Sequence, residues 1–296
     1  MQYEFRPSRS TADVLTVITD RISRVLDTGF DARLFALDIS KAFDKVWHKG
    51  LLHKLKGYGL GGRVLPIIKS FLTGRSMTVV INGQSSEVHF INAGVPQGSV
   101  LGPTLFLLFI NDLPDHILKS FINIFADDTT DYGTTSRSFS HADLATELNS
   151  DLTLIVRWGK QWLVTFNASK TKLLSLHHHR NIPILPSISM DNKQLDESNI
   201  LDKLLGLKIT PNLMWGIYIQ SIAKDAARMV GSFYRSRDFL SPAAIWYLNK
   251  SQIRPKWDIV PTFWLDPPST NCPPMIGFNI TFPKMIYIDL GDMIFF

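Results

Sequence analysis

Two adjacent carboxylates, Asp127 and Asp128, follow an apolar run in the stretch NIFADDTT. Side by side they repel each other, and partial burial would raise the pKa of at least one of them unless a cation or hydrogen-bond donors offset the cost. The pattern therefore favours a positively charged ligand at this point. On its own, an Asp-Asp pair is more often a solvated turn.

A third carboxylate, Asp38, ends the apolar run LFALD. Phosphoryl transfer to the end of a nucleic acid uses two divalent metals about 4 Å apart, and Mg²⁺ prefers oxygen ligands, so a few aspartates suffice. One strand-end aspartate cannot hold two ions alone. If the strand before Asp38 and the hairpin that carries Asp127 and Asp128 are antiparallel neighbours, the three carboxylates converge.

The elements that must position these residues are visible in the sequence. SFINIFADD predicts a strand that reaches a tight turn, and TTDYG predicts the return strand, so that Asp127 and Asp128 lie at a hairpin tip. RLFALDI predicts a buried strand that ends at Asp38, with a helix from about Phe43. Asn82-Gly83, between alternating segments, predicts another hairpin.

Several helices are predicted from apolar positions at helical spacing. Ser10 and Asp13 form a capping-box pattern for a first helix that Gly29 ends. Further helices are predicted in RVLPIIKSFL, TLFLLFINDL, HADLATELNSDLTLIVRWGKQWL and SIAKDAARMVGSFYRSRDFL, and short strands in KTKLLSL and KLLGLKI. Helices mixed with antiparallel hairpins indicate an α+β fold and argue against a parallel doubly wound sheet.

Composition restricts the setting of the protein. The 296 residues carry a net charge of +5, and Lys and Arg outnumber Asp and Glu by 16 to 9 between residues 136 and 256, which suits a surface that faces a polyanion. The single cysteine, Cys272, excludes an intrachain disulfide and favours a reducing intracellular setting. The longest central apolar run is far shorter than the roughly 20 residues of a membrane span, so we expect no membrane association.

Three motifs carry a family resemblance. ALDISKAFDKVWHKGLL, NAGVPQGSVLGPTLFLLFINDL and FADDTT, in this order, resemble motifs A, B and C of reverse transcriptases from non-LTR retrotransposons of the jockey and LINE type. Flanking segments from QYEFRPSRST to the end of SIAKDAARMVGSFYRSRDFLSPAAIWYLNKSQIRP are similar to the same family. The resemblance covers about residues 1 to 255 and implies RNA-directed DNA polymerase activity.

The resemblance implies roles in metal binding. Asp38 and Asp127 look like the main metal ligands, with Asp128 as a supporting carboxylate and Ile39 contributing its backbone next to the triphosphate. The implied cofactor is Mg²⁺, as two ions, with Mn²⁺ as a substitute.

Further roles concern the incoming nucleotide. Phe43 resembles the gate whose ring excludes a ribose 2′-hydroxyl, although without the motif an aromatic residue at the start of a helix would be assigned to the core. Gln97 resembles the residue that touches the nucleotide and template, and Gly98 permits close backbone approach. Lys170 resembles the lysine that protonates the pyrophosphate leaving group, and a solvated strand-edge lysine is the alternative.

Contacts with the primer and duplex are implied further along. Leu205 and Gly206 resemble the primer grip, where this chain has Leu-Leu-Gly in place of aromatic-Leu-Gly. Arg228, Arg235 and Arg237 suit a thumb helix that follows the duplex backbone by phosphate contact. A plain solvated helix face is the alternative for each arginine.

The expected architecture is a right-hand polymerase. Residues 1–210 would form partial fingers and the palm, residues 211–255 thumb-like helices, and residues 256–296 an unassigned tail of unrelated sequence. The expected partners are an RNA template, a DNA primer and dNTPs, and the family's life cycle suggests the nucleus. The fingers residues that clamp the triphosphate and an endonuclease domain are expected to be missing, and Glu4 replaces a glycine of the pattern.

Three functions remain open at this point. The chain is an RNA-directed DNA polymerase, a catalytically inactive fragment that binds RNA or an RNA/DNA duplex, or a structural or interaction protein in which the motifs are fossils. The intact Asp38, Gln97, Asp127 and Asp128 favour the first two, and the expected loss of the fingers favours the second over the first.

Overall fold

The structure is a computed structural model that describes residues 2–6, 9–178 and 185–255. The tail predicted at residues 256–296, with Cys272, lies outside the described residues.

The described chain alternates helices with short strands. The α-helices are α1 (Thr11–Asp27), α2 (His48–Gly57), α3 (Val64–Leu72), α4 (Leu101–Ile110), α5 (His141–Trp162), α6 (Gly216–Arg235) and α7 (Pro242–Leu248). Short 3₁₀ helices cover Phe43–Lys45, Leu113–His116 and Arg237–Phe239, and a π-helical turn covers Asn249–Ile253. The strands are β1 (Ala32–Leu37), β2 (Arg75–Met77), β3 (Val80–Ile81), β4 (Gln84–Ser85), β5 (His89–Ile91), β6 (Phe121–Phe125), β7 (Asp128–Thr134), β8 (Lys172–Leu176), β9 (Ser189–Met190), β10 (Lys193–Gln194), β11 (Leu201–Leu204) and β12 (Leu207–Ile209).

The central element is a four-stranded sheet in the order β6-β7-β1-β8, with every neighbouring pair antiparallel. The other strands form two-stranded ribbons, which are also antiparallel. Helices mixed with antiparallel strands confirm the predicted α+β fold. No helix of the described residues is long and apolar enough to span a membrane.

Both faces of β1 are covered, which explains its nearly continuous apolar sequence. Phe35 and Leu37 point into a core shared with α2, α4 and α5, whereas Ala32 and Leu34 point into a second core shared with α1 and α6. Alternation along the strand therefore divides its side chains between two cores. This packing holds the end of β1, where Asp38 follows, in a fixed position.

Capping and turn motifs in the sequence predicted the positions of several elements correctly. The Ser10 backbone N–H donates to the Asp13 carboxylate at 2.6 Å, and α1 ends just before Gly29, whose φ is +82°. Asn82 and Gly83 form the turn between β3 and β4 with φ of 51° and 79°, as the sequence predicted.

The helix predicted from about Phe43 is wrong. A single 3₁₀ turn forms there, and α2 starts only at His48. The carbonyl of Phe43 accepts a hydrogen bond from Val95 N–H and that of Val46 from Gly94 N–H, both at 2.9 Å. Because these carbonyls are bound to a distant loop, they are not available to continue a helix.

The placement of Arg237 on the long basic helix is also wrong. Helix α6 ends at Arg235, and Ser236 leaves helical geometry with φ −99° and ψ 7°. Arg237 opens the following 3₁₀ helix. The basic positions predicted for one helix therefore lie on two elements.

Candidate active site

Strand pairing brings two of the predicted carboxylates together. Leu37 of β1, the residue before Asp38, is paired with Thr129 of β7, the residue after Asp128. Neighbouring antiparallel strands lie about 5 Å apart, so the residues that flank this pair are close in space. Asp38 and Asp128 therefore lie at neighbouring strand ends, at the same end of the sheet.

The third carboxylate lies in the adjoining turn. Phe125 of β6 is paired with Asp128 of β7, so Ala126 and Asp127 alone form the turn. Ala126 has φ +53°, an unfavourable left-handed conformation for a residue with a side chain. Because the turn has only two residues, Asp127 and Asp128 lie at the same end of the sheet.

The negative charges of these carboxylates act on one another. The pKa of Asp128 is raised above its ordinary value, first by the loss of solvation around its carboxyl group and then by the negative charges of Asp127 and Asp38. The residue as a whole remains exposed, so solvent screens part of this repulsion. A bound cation would reverse the effect and favour the ionised form.

The donor set fits a divalent cation. Asp38 Oδ2 is shielded from solvent and has no hydrogen-bond partner within the described residues. Such an oxygen is costly unless it gains a partner, and carboxylate oxygens are the ligands that Mg²⁺ and Mn²⁺ prefer. Across the described residues, however, no three Asp, Glu, His or Cys side chains are already gathered as a metal-binding group. The carboxylates are thus close enough to repel each other without forming a closed ligand set.

The loop after Asp38 is tied to the glycine-rich segment before α4. Beyond the hydrogen bond between Phe43 O and Val95 N–H, the Phe43 ring stacks on Phe106 of α4 with ring centroids 4.4 Å apart. Phe43 is only half-buried, so one part of its ring belongs to the core and another faces outward. The alternative of a purely core aromatic is therefore only partly correct.

Gln97 and Gly98 lie on the surface beside this loop. Gln97 Nε2 donates to Asp44 Oδ1 at 2.8 Å, so Asp44 orients the predicted nucleotide-contacting amide. Gly98 has φ +77°, and an added Cβ would meet no atom within 4 Å. A side chain there is disfavoured by the backbone conformation, and the space in front of it is open.

Lys170 lies in the turn that leads into β8. Its backbone N–H donates to Asn167 O, and its side chain is exposed. The same turn is bound to the end of β1, because Asn167 N–H donates to Asp38 O at 2.8 Å. Ile39 pairs with Phe166 through an antiparallel bridge. The turn that carries Lys170 is thus anchored directly to Asp38.

The remaining predicted residues lie on separate elements. Leu205 and Gly206 form the tip of the β11-β12 hairpin with φ of 49° and 88°. Arg228 and Arg235 are exposed on α6, where Arg228 pairs with Asp225 at 3.3 Å.

Sequence reasoning missed two residues beside the carboxylate turn. The pKa of Glu4 is raised, first by burial and then by the charges of Asp127 and Asp128, so this residue adds a fourth carboxyl group to the neighbourhood. Gln2 is buried and hydrogen-bonded to the turn itself. The signal for Glu4 was its departure from the motif, whereas Gln2 was marked only as part of the family-like segment QYEFRPSRST.

An antiparallel sheet with helices on both faces and carboxylates at neighbouring strand ends is consistent with the palm of a nucleic-acid polymerase. The chain belongs to the reverse transcriptase (RNA-dependent DNA polymerase) family, whose model matches residues 1–210. Members of this family generally use divalent metal ions.

Two Drosophila proteins are similar to this chain over most of its length and support its membership of the family. A probable RNA-directed DNA polymerase from transposon X-element of Drosophila melanogaster is 29% identical over 270 residues, which is 89% of this chain and 29% of the relative. The RNA-directed DNA polymerase from mobile element jockey of Drosophila funebris is 32% identical over 75% of this chain and 24% of its own length. This chain therefore spans less than a third of the length of either relative.

A solved structure of apo telomerase from Candida tropicalis, truncated from the C-terminal domain, is also similar. The match has a TM-score of 0.49 and 13% sequence identity, and covers 72% of this chain and 40% of that chain.

Proposed function

We propose that this chain is the RNA-directed DNA polymerase part of a non-LTR retrotransposon and extends a DNA primer with dNTPs on an RNA template. The observation that carries the proposal is the pairing of Leu37 with Thr129, which brings Asp38 and Asp128 to neighbouring strand ends, with Asp127 in the adjoining turn. Family membership gives this arrangement its chemical meaning.

The metal ligands in this proposal are Asp38 and Asp127, with Asp128 as the supporting carboxylate and the backbone of Ile39 beside them. Two Mg²⁺ ions, or Mn²⁺ in their place, would activate the primer 3′-hydroxyl and neutralise charge on the phosphate oxygens. The unpaired Oδ2 of Asp38 supports its role as a ligand. The raised pKa of Asp128 supports a site that favours a cation.

The residues around the carboxylates position the nucleotide. Phe43 excludes a ribose 2′-hydroxyl with the exposed part of its ring, and its stacking on Phe106 holds that ring in place. Gln97, oriented by Asp44, contacts the nucleotide and template, while Gly98 lets the backbone approach closely. Lys170 donates a proton to the leaving pyrophosphate. The turn that carries Lys170 is hydrogen-bonded to Asp38, which keeps Lys170 near the end of β1.

Contacts with nucleic acid complete the proposal. Leu205 and Gly206 hold the primer end at the tip of their hairpin, and Arg228, Arg235 and Arg237 contact the duplex backbone. Copying of an element into chromosomal DNA would place the protein in the nucleus.

The direct test is dNTP incorporation by the purified chain on an oligonucleotide-primed RNA template with Mg²⁺. We expect Asp127→Asn/Asp128→Asn to lower incorporation by about 100-fold or more, because the ion and its charge stabilisation are lost. Asp115→Asn is the matched control, since Asp115 is exposed on the 3₁₀ helix Leu113–His116, outside the central sheet. Equal incorporation by the double variant would show that the reaction does not use this turn.

A second candidate function is binding of an RNA or RNA/DNA duplex without turnover. The excess of basic residues between positions 136 and 256 favours it. Salt-sensitive duplex binding by a wild-type chain that incorporates no nucleotide would support this candidate over the polymerase.

A further inference from the structure

The N-terminal residues Gln2–Glu4 lie along the strand that leads into the carboxylate turn. Tyr3 N–H donates to Ile124 O of β6 at 3.0 Å, and Gln2 forms a parallel bridge with Ile124. Strand β6 is at the edge of the central sheet, so this short segment pairs with the edge just before Ala126 and Asp127. Backbone pairing alone brings it to the predicted metal site.

The side chain of Gln2 reaches the turn itself. It is only 7% exposed, and its Oε1 accepts hydrogen bonds from Tyr3 N–H at 2.9 Å, Glu4 N–H at 3.1 Å and Ala126 N–H at 3.4 Å. One buried oxygen thus connects the N-terminal segment with the residue that immediately precedes Asp127.

The hydrogen bond to Ala126 acts on a strained point of the chain. Ala126 holds φ +53°, which a residue with a side chain adopts only when its surroundings determine it. Its N–H is buried and would be costly to leave without an acceptor. The amide of Gln2 supplies that acceptor and disfavours other conformations of the turn.

We propose that Gln2 is a positioning residue of the active site, whose amide oxygen fixes the turn that presents Asp127 and Asp128. This inference rests on the proposed function, because it concerns the same carboxylates. Gln2 Nε2 is shielded and has no partner in the described part of the chain, so the acceptor atom is the part of the side chain that the fold uses. The residue acts through the turn and touches neither substrate nor metal.

The test compares Gln2→Met with Gln194→Met in the full chain. Methionine keeps the length of glutamine and removes the acceptor, and Gln194 is exposed on β10, which is not part of the central sheet. Mn²⁺ binding to the isolated protein is measured by electron paramagnetic resonance, together with hydrogen exchange of peptides from β6-β7 and from α5. We expect Gln2→Met to weaken Mn²⁺ binding about 10-fold, as for other residues that orient metal ligands, and to speed exchange in the turn only.

A purely structural role would destabilise the fold as a whole. It would speed exchange in α5 and the turn alike and leave the Mn²⁺ affinity of the folded chain unchanged, which would overturn the proposal. Mn²⁺ affinity and turn exchange equal to wild type would also overturn it. The Asp127→Asn/Asp128→Asn variant separates the two hypotheses. If the double variant loses Mn²⁺ binding and Gln2→Met does not, only the inference about Gln2 fails. If the double variant binds Mn²⁺ like the wild type, the proposed metal site fails, and the inference about Gln2 fails with it.

Discussion

Strand β7 carries a second acidic residue, Asp131, whose carboxyl group is buried. It follows Asp128 by three residues and is fully buried. Burial raises the pKa of Asp131 to about 7, and the charge of Asp151 adds to the rise. This carboxyl group therefore titrates near neutral pH although it lies outside the proposed metal site.

The pKa of Asp131 makes stability depend on pH in a defined direction. The ordinary value is 3.8, so the folded chain holds this proton more tightly than the unfolded chain does. The contribution to stability is therefore fully present below about pH 4 and is lost as the pH rises through about 7. We expect Asp131→Asn, which resembles the protonated acid, to raise the free energy of unfolding at about pH 8 by roughly 1–4 kcal/mol.

Urea unfolding between about pH 4 and pH 8 checks this expectation. The gain from Asp131→Asn should shrink toward pH 4, where Asp131 is protonated in the folded chain and about half protonated in the unfolded chain. Asp115→Asn, an exposed change of the same kind, should show no such trend. A gain that is the same at every pH would mean that the proton of Asp131 is not its cause.

At the scale of single elements, the sequence predicted what is determined locally. The turn at Asp127, the hairpin at Asn82-Gly83 and the cap at Ser10 each depend on neighbouring residues, and all three are present. The helix expected at Phe43 failed because its carbonyl is bound to Val95, about 50 residues away in the sequence. Local patterns carry no information about such distant partners.

The candidate site divides in the same way. The antiparallel adjacency of Asp38 and the hairpin was predictable because both follow apolar strands. Gln2 was not predictable, since its role depends on one hydrogen bond to Ala126, 124 positions away. Glu4 was noticed only as a departure from a motif, and its closeness to Asp127 required the folded chain.

A buried charged residue, Lys54 of α2, links this helix to α4 and to Asp112, which follows α4. The Lys54 side chain is 5% exposed, and its Nζ pairs with Asp112, donates to Phe109 O at 2.7 Å and lies 3.9 Å from the Trp162 ring centroid. Burial lowers the pKa of Lys54 to about 8, and Asp112 partly offsets this effect. The ammonium group thus depends on Asp112 for its charge compensation.

This arrangement predicts unequal effects of removing the two partners. Asp112→Ala leaves a buried ammonium without its counter-charge and should cost about 3–5 kcal/mol of stability, whereas Lys54→Met removes the charge, keeps the length and should cost much less. Denaturant unfolding of both variants and of the double variant measures the coupling. If the double variant is as unstable as the sum of the two single changes, the ion pair does not account for the loss.

At the scale of the whole molecule, charge is unevenly placed. The net charge is +5, and the surplus lies after residue 136, where α6 exposes Arg228 and Arg235. The carboxylates lie at one end of the central sheet. The proposed function needs this division, because the proposed metal site must attract cations while a surface that binds a duplex must attract phosphates.

The division predicts how duplex binding responds to salt. Each arginine that contacts a phosphate displaces counterions and steepens the dependence of affinity on salt by about 0.7–0.9 in log-log slope. We expect Arg228→Gln/Arg235→Gln to weaken binding to an RNA/DNA duplex and to make that slope shallower by about 1.5. Fluorescence anisotropy over a range of KCl concentrations measures both quantities.

The matched control is Arg24→Gln/Arg137→Gln, which removes two exposed arginines outside α6. Arg24 is paired with Asp20 on α1 at 2.9 Å, much as Arg228 is paired with Asp225, so loss of a surface ion pair is the same in both variants. If the salt dependence of duplex affinity has the same slope for both variants, the net charge attracts the duplex and α6 makes no specific phosphate contacts. A shallower slope for the α6 variant alone would assign phosphate contact to this helix, because total charge falls equally in both.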